Sequence, residues 1–401
     1  MKPDYIRRFE KMGFGMFVHF GLYSMVGKGE WIYYALDEEG KKNYFTDEFA
    51  NQFNPKVDWA KKLVATAKNA GAKYITLTTK HHDGFFLYDS KGLTTWDSIH
   101  LGPKRDLVRE FVDACNEADI VPFFYHAIYD WHNPDYEGNF PAYIDFLIKS
   151  VEILCTNYGK IGGLWFDGFW NKPHENWQFD RLYATIRKHQ PEAMIINNTG
   201  MGDVGTIGHY EIDSVTYERN APAAVPNPDG KERAGEMCEV FGEHWGYAKN
   251  DFDYKSFSDI LYSLIDCRAC NCNFLLNCGP MGNGYIPARD KEYFNHIGEV
   301  IRKNKNFIYN VKRADISSPD CTILQDENYY YAVIKGVMMS CDPNVQLEEG
   351  TRKVTVPGHK IKQARYLDTG DKVLLSLDKK TIIVKPFEYG ESRCIRVVRF
   401  K

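Results

Sequence analysis

The segment Gly162-Gly163-Leu164-Trp165-Phe166-Asp167-Gly168 decides the predicted fold. An apolar run bounded by glycines is typical of a short buried strand, and here a carboxylate stands at its carboxyl end. Enzymes built on parallel barrels carry their chemistry at that end of the strands. Because side chains alternate along a strand, Trp165 and Asp167 are expected on the same face. The alternative is that Asp167 caps the next helix or starts a turn.

Predicted strands and helices alternate on both sides of this segment. The other strands are 14–20, 74–79, 121–125, 193–196, 235–240 and 274–277, and the helices are 57–70, 107–115, 144–155, 182–186, 257–265 and 294–301. Such alternation is typical of parallel βαβ units. Repeated over about 300 residues, it predicts a (β/α)8-like barrel, regular or irregular, at residues 1–310.

Two stretches depart from this alternation. Residues 199–234 are rich in Gly, Pro and polar residues and are predicted to form long loops. Beyond residue 311 only short strand patterns remain, separated by turns. They predict a C-terminal antiparallel β-sandwich over residues 311–401.

Composition narrows the class of protein. The chain has 401 residues, of which 44% are hydrophobic, so a large core is expected rather than disorder. The formal net charge of -4 gives no electrostatic basis for binding nucleic acid or an anionic membrane. No signal-peptide core or membrane-spanning run is present, and several of the ten Cys lie in apolar segments. These features predict a cytoplasmic protein.

Polar and aromatic residues gather directly after the predicted strands. They are His19, His81, His82, His126, Asp167, Asn198 and Trp245. The carboxyl ends of parallel barrel strands meet on one face, so these side chains are expected to come together. This clustering predicts an active site.

The histidines raise the possibility of a metal site. His81-His82-Asp83, with His19, His126 and Asp167, contains ligand types that zinc accepts. Adjacent histidines on a strand point to opposite faces, however, and rarely bind one ion together. Neither a metal nor another cofactor is therefore expected, and a metal-dependent hydrolase is kept as an alternative.

Paired carboxylates remain the favoured chemistry. Retaining glycosidases need a nucleophile and an acid/base about 5 Å apart. Asp167 is the nucleophile candidate. The acid/base candidates near strand ends or in loops are Glu30, Glu211, Glu218, Glu236 and Glu239, and the residues alone do not choose among them.

At the level of motifs the chain resembles the α-L-fucosidases, retaining glycosidases of family 29. The resemblance rests on GMFVHFGLYS (15–24), GEW (29–31), AKYITLTTKHHDGF (72–85), KRDLV (104–108), YDWH (129–132), LWFDG (164–168), HWGY (244–247) and NFLLNCGP (273–280). It implies an exo-acting enzyme that removes terminal α-linked L-fucose from an oligosaccharide or glycoconjugate, with Asp167 as the nucleophile. It also implies a fucose pocket lined by His19, Glu30, Trp31, His81, His82, Tyr125 and Trp165.

In this family the acid/base lies in a variable loop. Tyr217-Glu218 with Pro222 resembles that position most, followed by Glu211 and then Glu236. The chain departs from the family pattern at Thr199, where Arg is frequent, and at GPMGNG (279–284). These departures leave the preferred leaving group open. The sequence as a whole leaves the fucose linkage and the oligomeric state open. A non-catalytic fucose-binding protein on the same scaffold is the second alternative.

Overall fold

The computed structural model describes residues 2–339 and 350–401, so part of the predicted range 311–401 lies outside the described residues. Eight parallel strands form a closed barrel in the order β1 to β8. They are β1 Phe14–Val18, β2 Tyr74–Lys80, β3 Val121–Ala127, β4 Gly163–Asp167, β5 Met194–Asn197, β6 Ser214–Glu218, β7 Ala234–Glu239 and β8 Cys272–Cys278. Pairing of β1 with β8, with Phe14 beside Phe274, closes the barrel. The predicted barrel is confirmed.

Helices surround the barrel on its outer side. The longer ones are α5 Trp59–Ala70, α6 Leu107–Ala118, α8 Phe140–Asn157, α9 Phe179–His189, α10 Phe257–Ala269 and α11 Ala288–Lys303. Four short helices lie between strands: α2 Tyr23–Val26, α3 Glu38–Tyr44, α4 Asp47–Ala50 and α7 Asp135–Gly138. The strands are covered on both faces, which explains why a strand such as β2 is buried along its whole length. Among the described residues, no helix is both long and apolar enough to cross a membrane.

The barrel interior is filled by large side chains rather than by solvent. Phe17, Tyr74, Phe123 and Trp165 are buried there in one apolar cluster. Helix α1 (Asp4–Met12) closes the amino-terminal end, where Phe9 packs 5.4 Å from the ring of Tyr74. With that end sealed, the carboxyl end is the open one.

The prediction of loops throughout 199–234 was wrong. Residues Ser214–Glu218 form β6, which pairs with β7 through Thr216 and Glu236. No helix occurs in 198–213 or 219–233, both of which are fully described. The βαβ alternation that reveals the other strands is therefore missing around β6. As a consequence, Glu218 is the last residue of a barrel strand and does not lie in the middle of a loop.

The described part of the C-terminal region contains two antiparallel sheets that share an apolar core. One has the strand order β13-β16-β11-β10-β9 and the other β12-β15-β14. The strands are β9 Lys312–Arg313, β10 Thr322–Gln325, β11 Tyr330–Lys335, β12 Arg352–Thr355, β13 Ala364–Tyr366, β14 Leu374–Leu375, β15 Thr381–Val384 and β16 Ile395–Phe400. Val354 and Ile382 of one sheet pack with Ala332 and Val398 of the other. The predicted antiparallel β-structure is confirmed.

Candidate active site

A cavity of about 550 Å³ opens at the carboxyl end of the barrel strands. All nine residues predicted for the site line it: His19, Glu30, Trp31, His81, His82, Tyr125, Trp165, Asp167 and Glu218. A larger groove of about 870 Å³ lies near α1, at the opposite end of the barrel. That groove holds Glu10 paired with Lys2, and it lies away from the strand ends where barrel enzymes carry their chemistry.

Asp167 ends β4 and is held at both carboxylate oxygens. Oδ2 accepts a hydrogen bond from the Tyr125 hydroxyl at 3.0 Å and lies 3.4 Å from His82 Nε2. Oδ1 accepts from Asn198 Nδ2 at 3.1 Å and from Trp170 Nε1 at 3.3 Å. Burial alone would raise the pKa of Asp167, but His82 and the other donors hold it below its ordinary value. Asp167 is therefore ionised at neutral pH.

The strand ends at Asp167 because Gly168 turns the chain sharply. Gly168 has a φ of 104°, in the region that glycine adopts without strain. A Cβ at this position would lie 2.4 Å from the Cβ of Tyr129. Gly168 thus allows the carboxylate to stand at the barrel mouth while the chain passes close to Tyr129.

Glu218 ends β6 and faces the same cavity. Its Oε2 accepts a hydrogen bond of 2.7 Å from Asn198 Nδ2. Burial and the neighbouring charge of Asp167 raise the pKa of Glu218 to about 7. Two carboxylates in one cavity thus have pKa values shifted in opposite directions, the pattern expected when one acts as an acid and the other stays ionised.

Asn198 limits the distance between the two carboxylates. Its Nδ2 lies 3.1 Å from Asp167 Oδ1 and 2.7 Å from Glu218 Oε2. These two oxygens are no farther apart than the sum of both lengths, about 5.8 Å. Contact with one shared amide agrees with the close approach, about 5–5.5 Å between carboxyl groups, that is typical of retaining glycosidases.

Three histidines line one wall of the cavity. His19 Nδ1 lies 2.7 Å from Asn277 Oδ1, and Asn277 Nδ2 donates to the Trp245 carbonyl, so His19 is the donor to Asn277. Burial lowers the pKa of His19 to about 4, which leaves Nε2 of the neutral ring as an acceptor. His81 is buried, and its Nδ1 has no hydrogen-bond partner among the residues that the structure describes.

The premise that His81 and His82 point to opposite faces was wrong. Strand β2 ends at Lys80, so both histidines follow the strand and strand alternation does not apply. Their ring centroids lie 4.4 Å apart and both rings line the cavity. Among the described residues, however, no group of three or more His, Cys, Asp or Glu side chains has an arrangement that could hold a metal ion.

Aromatic rings form the floor of the cavity. Trp165 stacks on Tyr125 with centroids 5.6 Å apart and packs edge-on against Phe17. Trp165 Nε1 donates to Glu236 Oε1 at 3.0 Å, and the Tyr74 hydroxyl donates to the other oxygen of Glu236. Glu236 thus lies beneath the floor as the hydrogen-bond acceptor of Trp165 and Tyr74. Its burial raises its pKa to about 7.

Position separates the other acid/base candidates from Glu218. Glu211 lies outside the cavity and pairs with Arg187 at 3.2 Å. Glu236 is 1% exposed and also does not line the cavity. Glu239 pairs with Lys255 at 3.3 Å. Glu30 lines the cavity, but its Oε2 already accepts from the Gly246 amide at 2.7 Å.

Comparison with known proteins identifies the family. The sequence model for alpha-L-fucosidase matches residues 2–306, which is most of the chain. The chain belongs to the α-L-fucosidase family. The family resemblance noted in the sequence motifs is thus confirmed, and with it the assignment to glycoside hydrolases.

Relatives within the α-L-fucosidase family match along most of the chain. The putative alpha-L-fucosidase of Caenorhabditis elegans is 27% identical over 328 residues, 75% of this chain but only 65% of that protein, less than two thirds of its length. The plasma alpha-L-fucosidase of Rattus norvegicus is 26% identical over 391 residues, and the match covers 88% of this chain and 82% of that protein. The structure of alpha-L-fucosidase isoenzyme 1 from Paenibacillus thiaminolyticus superposes with a TM-score of 0.85 at 30% identity, covering 99% of this chain and 98% of that one.

The motifs of the α-L-fucosidase family did not reveal every residue of the cavity. Additional lining residues are Phe17, Trp170, Asn198, Thr199, Gly200, Met201, Gly202, Asp203, Arg219, Glu243 and Trp245. Asn198 and Trp245 follow predicted strands and belong to the predicted active-site cluster, but neither was predicted to have a particular role. Trp170 lies three residues after Asp167 in a short 3-10 helix, so its contact with that carboxylate has a local origin that spacing could have suggested.

Proposed function

We propose that this chain is an exo-acting, retaining α-L-fucosidase that removes terminal α-linked L-fucose from oligosaccharides or glycoconjugates. The observation that carries the proposal is the pair of carboxylates at the ends of β4 and β6. Asn198 keeps the nearest oxygens of Asp167 and Glu218 within about 5.8 Å, the spacing suited to attack by one carboxylate while the other transfers a proton.

In the first step Asp167 is the nucleophile. Its carboxylate forms a bond to the anomeric carbon of fucose as the bond from that carbon to the glycosidic oxygen breaks. Glu218 gives its proton to the departing oxygen, which leaves as an alcohol. The lowered pKa of Asp167 keeps it ionised, whereas the raised pKa of Glu218, about 7, keeps a proton available for transfer.

In the second step Glu218, now a carboxylate, removes a proton from water. The resulting hydroxide equivalent attacks the anomeric carbon and breaks the bond to Asp167, which restores both carboxyl groups to their starting states. Two inversions at the same carbon give net retention, so the first product is the α-anomer of fucose.

The cavity walls provide a basis for recognising a single terminal sugar. The floor of Trp165 and Tyr125 closes the cavity toward the barrel interior, so there is no exit for a longer chain on that side. The neutral His19 offers an acceptor to a sugar hydroxyl, and His81 lines the same cavity. Trp31 and Trp245 supply apolar surface for the ring and its methyl group.

Product stereochemistry tests this proposal. Incubation with 4-nitrophenyl α-L-fucoside, followed at once by proton NMR, should show α-fucose before mutarotation produces the β-anomer. Asp167→Asn should bind fucose and lose turnover, whereas Asp180→Asn should behave as wild type because Asp180 is 97% exposed. β-Fucose as the first product would contradict a retaining mechanism. Binding of fucose without turnover in the wild-type protein would instead identify a non-catalytic lectin-like function.

A further inference from the structure

One amide, that of Asn198, contacts both carboxylates of the site. The two hydrogen bonds leave from the same nitrogen, Nδ2, which carries two hydrogens and can satisfy both Asp167 and Glu218. Asn198 is 2% exposed. Its backbone is fixed as well, because its N–H donates to the Phe166 carbonyl at 2.8 Å.

The amide is also held from the opposite side. The Thr216 hydroxyl lies 2.9 Å from Asn198 Oδ1 and donates to it. Thr216 is in the middle of β6, two residues before Glu218, and is also buried. A flipped amide would present its carbonyl oxygen to two carboxylates, which disfavours that orientation. In the orientation with nitrogen facing the carboxylates, the Thr216 hydroxyl donates to Oδ1 and holds the amide in place.

We propose that Asn198, oriented by Thr216, is a positioning residue that couples the ionisation of the nucleophile to that of the acid/base. This inference rests on the proposed function, because it assigns Asp167 and Glu218 their roles. A donor shared by two carboxylates favours the ionised form of each. It allows Asp167 and Glu218 to stand close together without both becoming protonated, and it keeps the proton of Glu218 transferable near neutral pH.

The coupling has a definite sign. Hydrogen bonding by Asn198 lowers the pKa of both Asp167 and Glu218. Removing the Asn198 amide should therefore raise the pKa of both carboxyl groups. The acidic limb of the kcat/KM profile reports the ionisation of Asp167, and the basic limb reports the loss of the Glu218 proton. Asn198→Ala should therefore move both limbs to higher pH, by about one unit each for a lost hydrogen bond to an ionised group.

Conservative variants separate this effect from a loss of packing. Thr216→Val removes only the hydroxyl that orients the amide, and it should shift both limbs in the same direction by a smaller amount. Thr216→Ser keeps the hydroxyl and should restore the wild-type limb positions. Asn197→Ala is the matched control: its Nδ2 donates to the Tyr183 hydroxyl at 3.0 Å, away from the carboxylates, so the limbs should not move.

A second readout does not depend on turnover. In protein labelled with ¹³C at the glutamate carboxyl, the Glu218 signal is identified by its disappearance in Glu218→Gln. Its titration midpoint should be higher in Asn198→Ala and in Thr216→Val than in wild type. If both limbs of the kcat/KM profile and the titration midpoint of Glu218 are unchanged in both variants, the proposed coupling is wrong. If the wild-type protein has no fucosidase activity, the proposed function is wrong. The Glu218 titration would still test whether the hydrogen bond from Asn198 lowers the pKa of Glu218.

Discussion

Replacing Glu218 by Gln removes the transferable proton while keeping the shape of the side chain. The Gln oxygen can still accept from Asn198, whose Nδ2 lies 2.7 Å from Glu218 Oε2. General acid catalysis contributes about 10²–10⁴ in rate. For an α-fucosyl disaccharide, whose sugar leaving group needs protonation, kcat/KM should fall by about that factor. For 4-nitrophenyl α-L-fucoside, which departs as a stable anion, the fall in kcat/KM should be far smaller.

The pH dependence of the wild-type enzyme follows from the same residue. Glu218 has a pKa raised to about 7, so the acid form is present below that pH and is lost above it. The protonated fraction falls from about 90% at pH 6 to about 10% at pH 8, so kcat/KM for the disaccharide should drop roughly ninefold on this limb. In Glu218→Gln the basic limb should disappear.

Steady-state kinetics on both substrates from pH 4 to 9 measures these effects. Azide should rescue Glu218→Gln and give the α-fucosyl azide, because azide attacks the fucosyl-enzyme in place of water. Glu211→Gln is the matched control, since Glu211 pairs with Arg187 outside the cavity. Equal losses for both substrates in Glu218→Gln, with an intact basic limb, would refute the assignment of the acid.

Three other outcomes are expected. Asp167→Gly should lower turnover by several orders of magnitude, with partial rescue by azide and formation of β-fucosyl azide; near wild-type turnover would count against the nucleophile. His19→Ala should weaken transition-state binding by about 1–3 kcal/mol, measured from kcat/KM, because a buried acceptor for a sugar hydroxyl is lost. Lys80→Met should lower the free energy of unfolding by about 3–5 kcal/mol in a denaturant titration, because Asp130 would keep a buried charge without its 2.8 Å partner; a change below 1 kcal/mol would contradict this.

Most barrel strands could be predicted because each is an apolar run followed by a helix. The β4 segment shows this clearly, since its first four residues are buried, it ends at the carboxylate of Asp167, and it precedes α9. Strand β6 escaped prediction because no helix flanks it and Gly, Pro and polar residues surround it. Helix α1 was also not predicted, although Ile6 and Phe9 seal the barrel. Its nine residues are too few to give a strong periodic signal.

The composition of the site was predictable to the extent that it follows strand ends. Asp167 and His19 lie at or just after the ends of β4 and β1, so the closed barrel brings them together. Glu218 was favoured only by the family resemblance, because the strand that it ends, β6, was not predicted. Contacts between side chains were not predictable. The two hydrogen bonds of Asn198 depend on the rotamers of Asp167, Asn198 and Glu218, at or just after the ends of three different strands, and on the Thr216 hydroxyl. Sequence spacing contains no information about these.

The central claim is that Asp167 forms a covalent bond to fucose. The most direct measurement is mass spectrometry of the protein after incubation with 2-deoxy-2-fluoro-α-L-fucosyl fluoride, in which fluorine slows hydrolysis of the intermediate. The intact mass should increase by one fluorofucosyl group, and the modified peptide should carry it on Asp167, with no adduct on Asp167→Asn. An adduct on another carboxylate, or the absence of any adduct while the reagent is hydrolysed, would contradict the account.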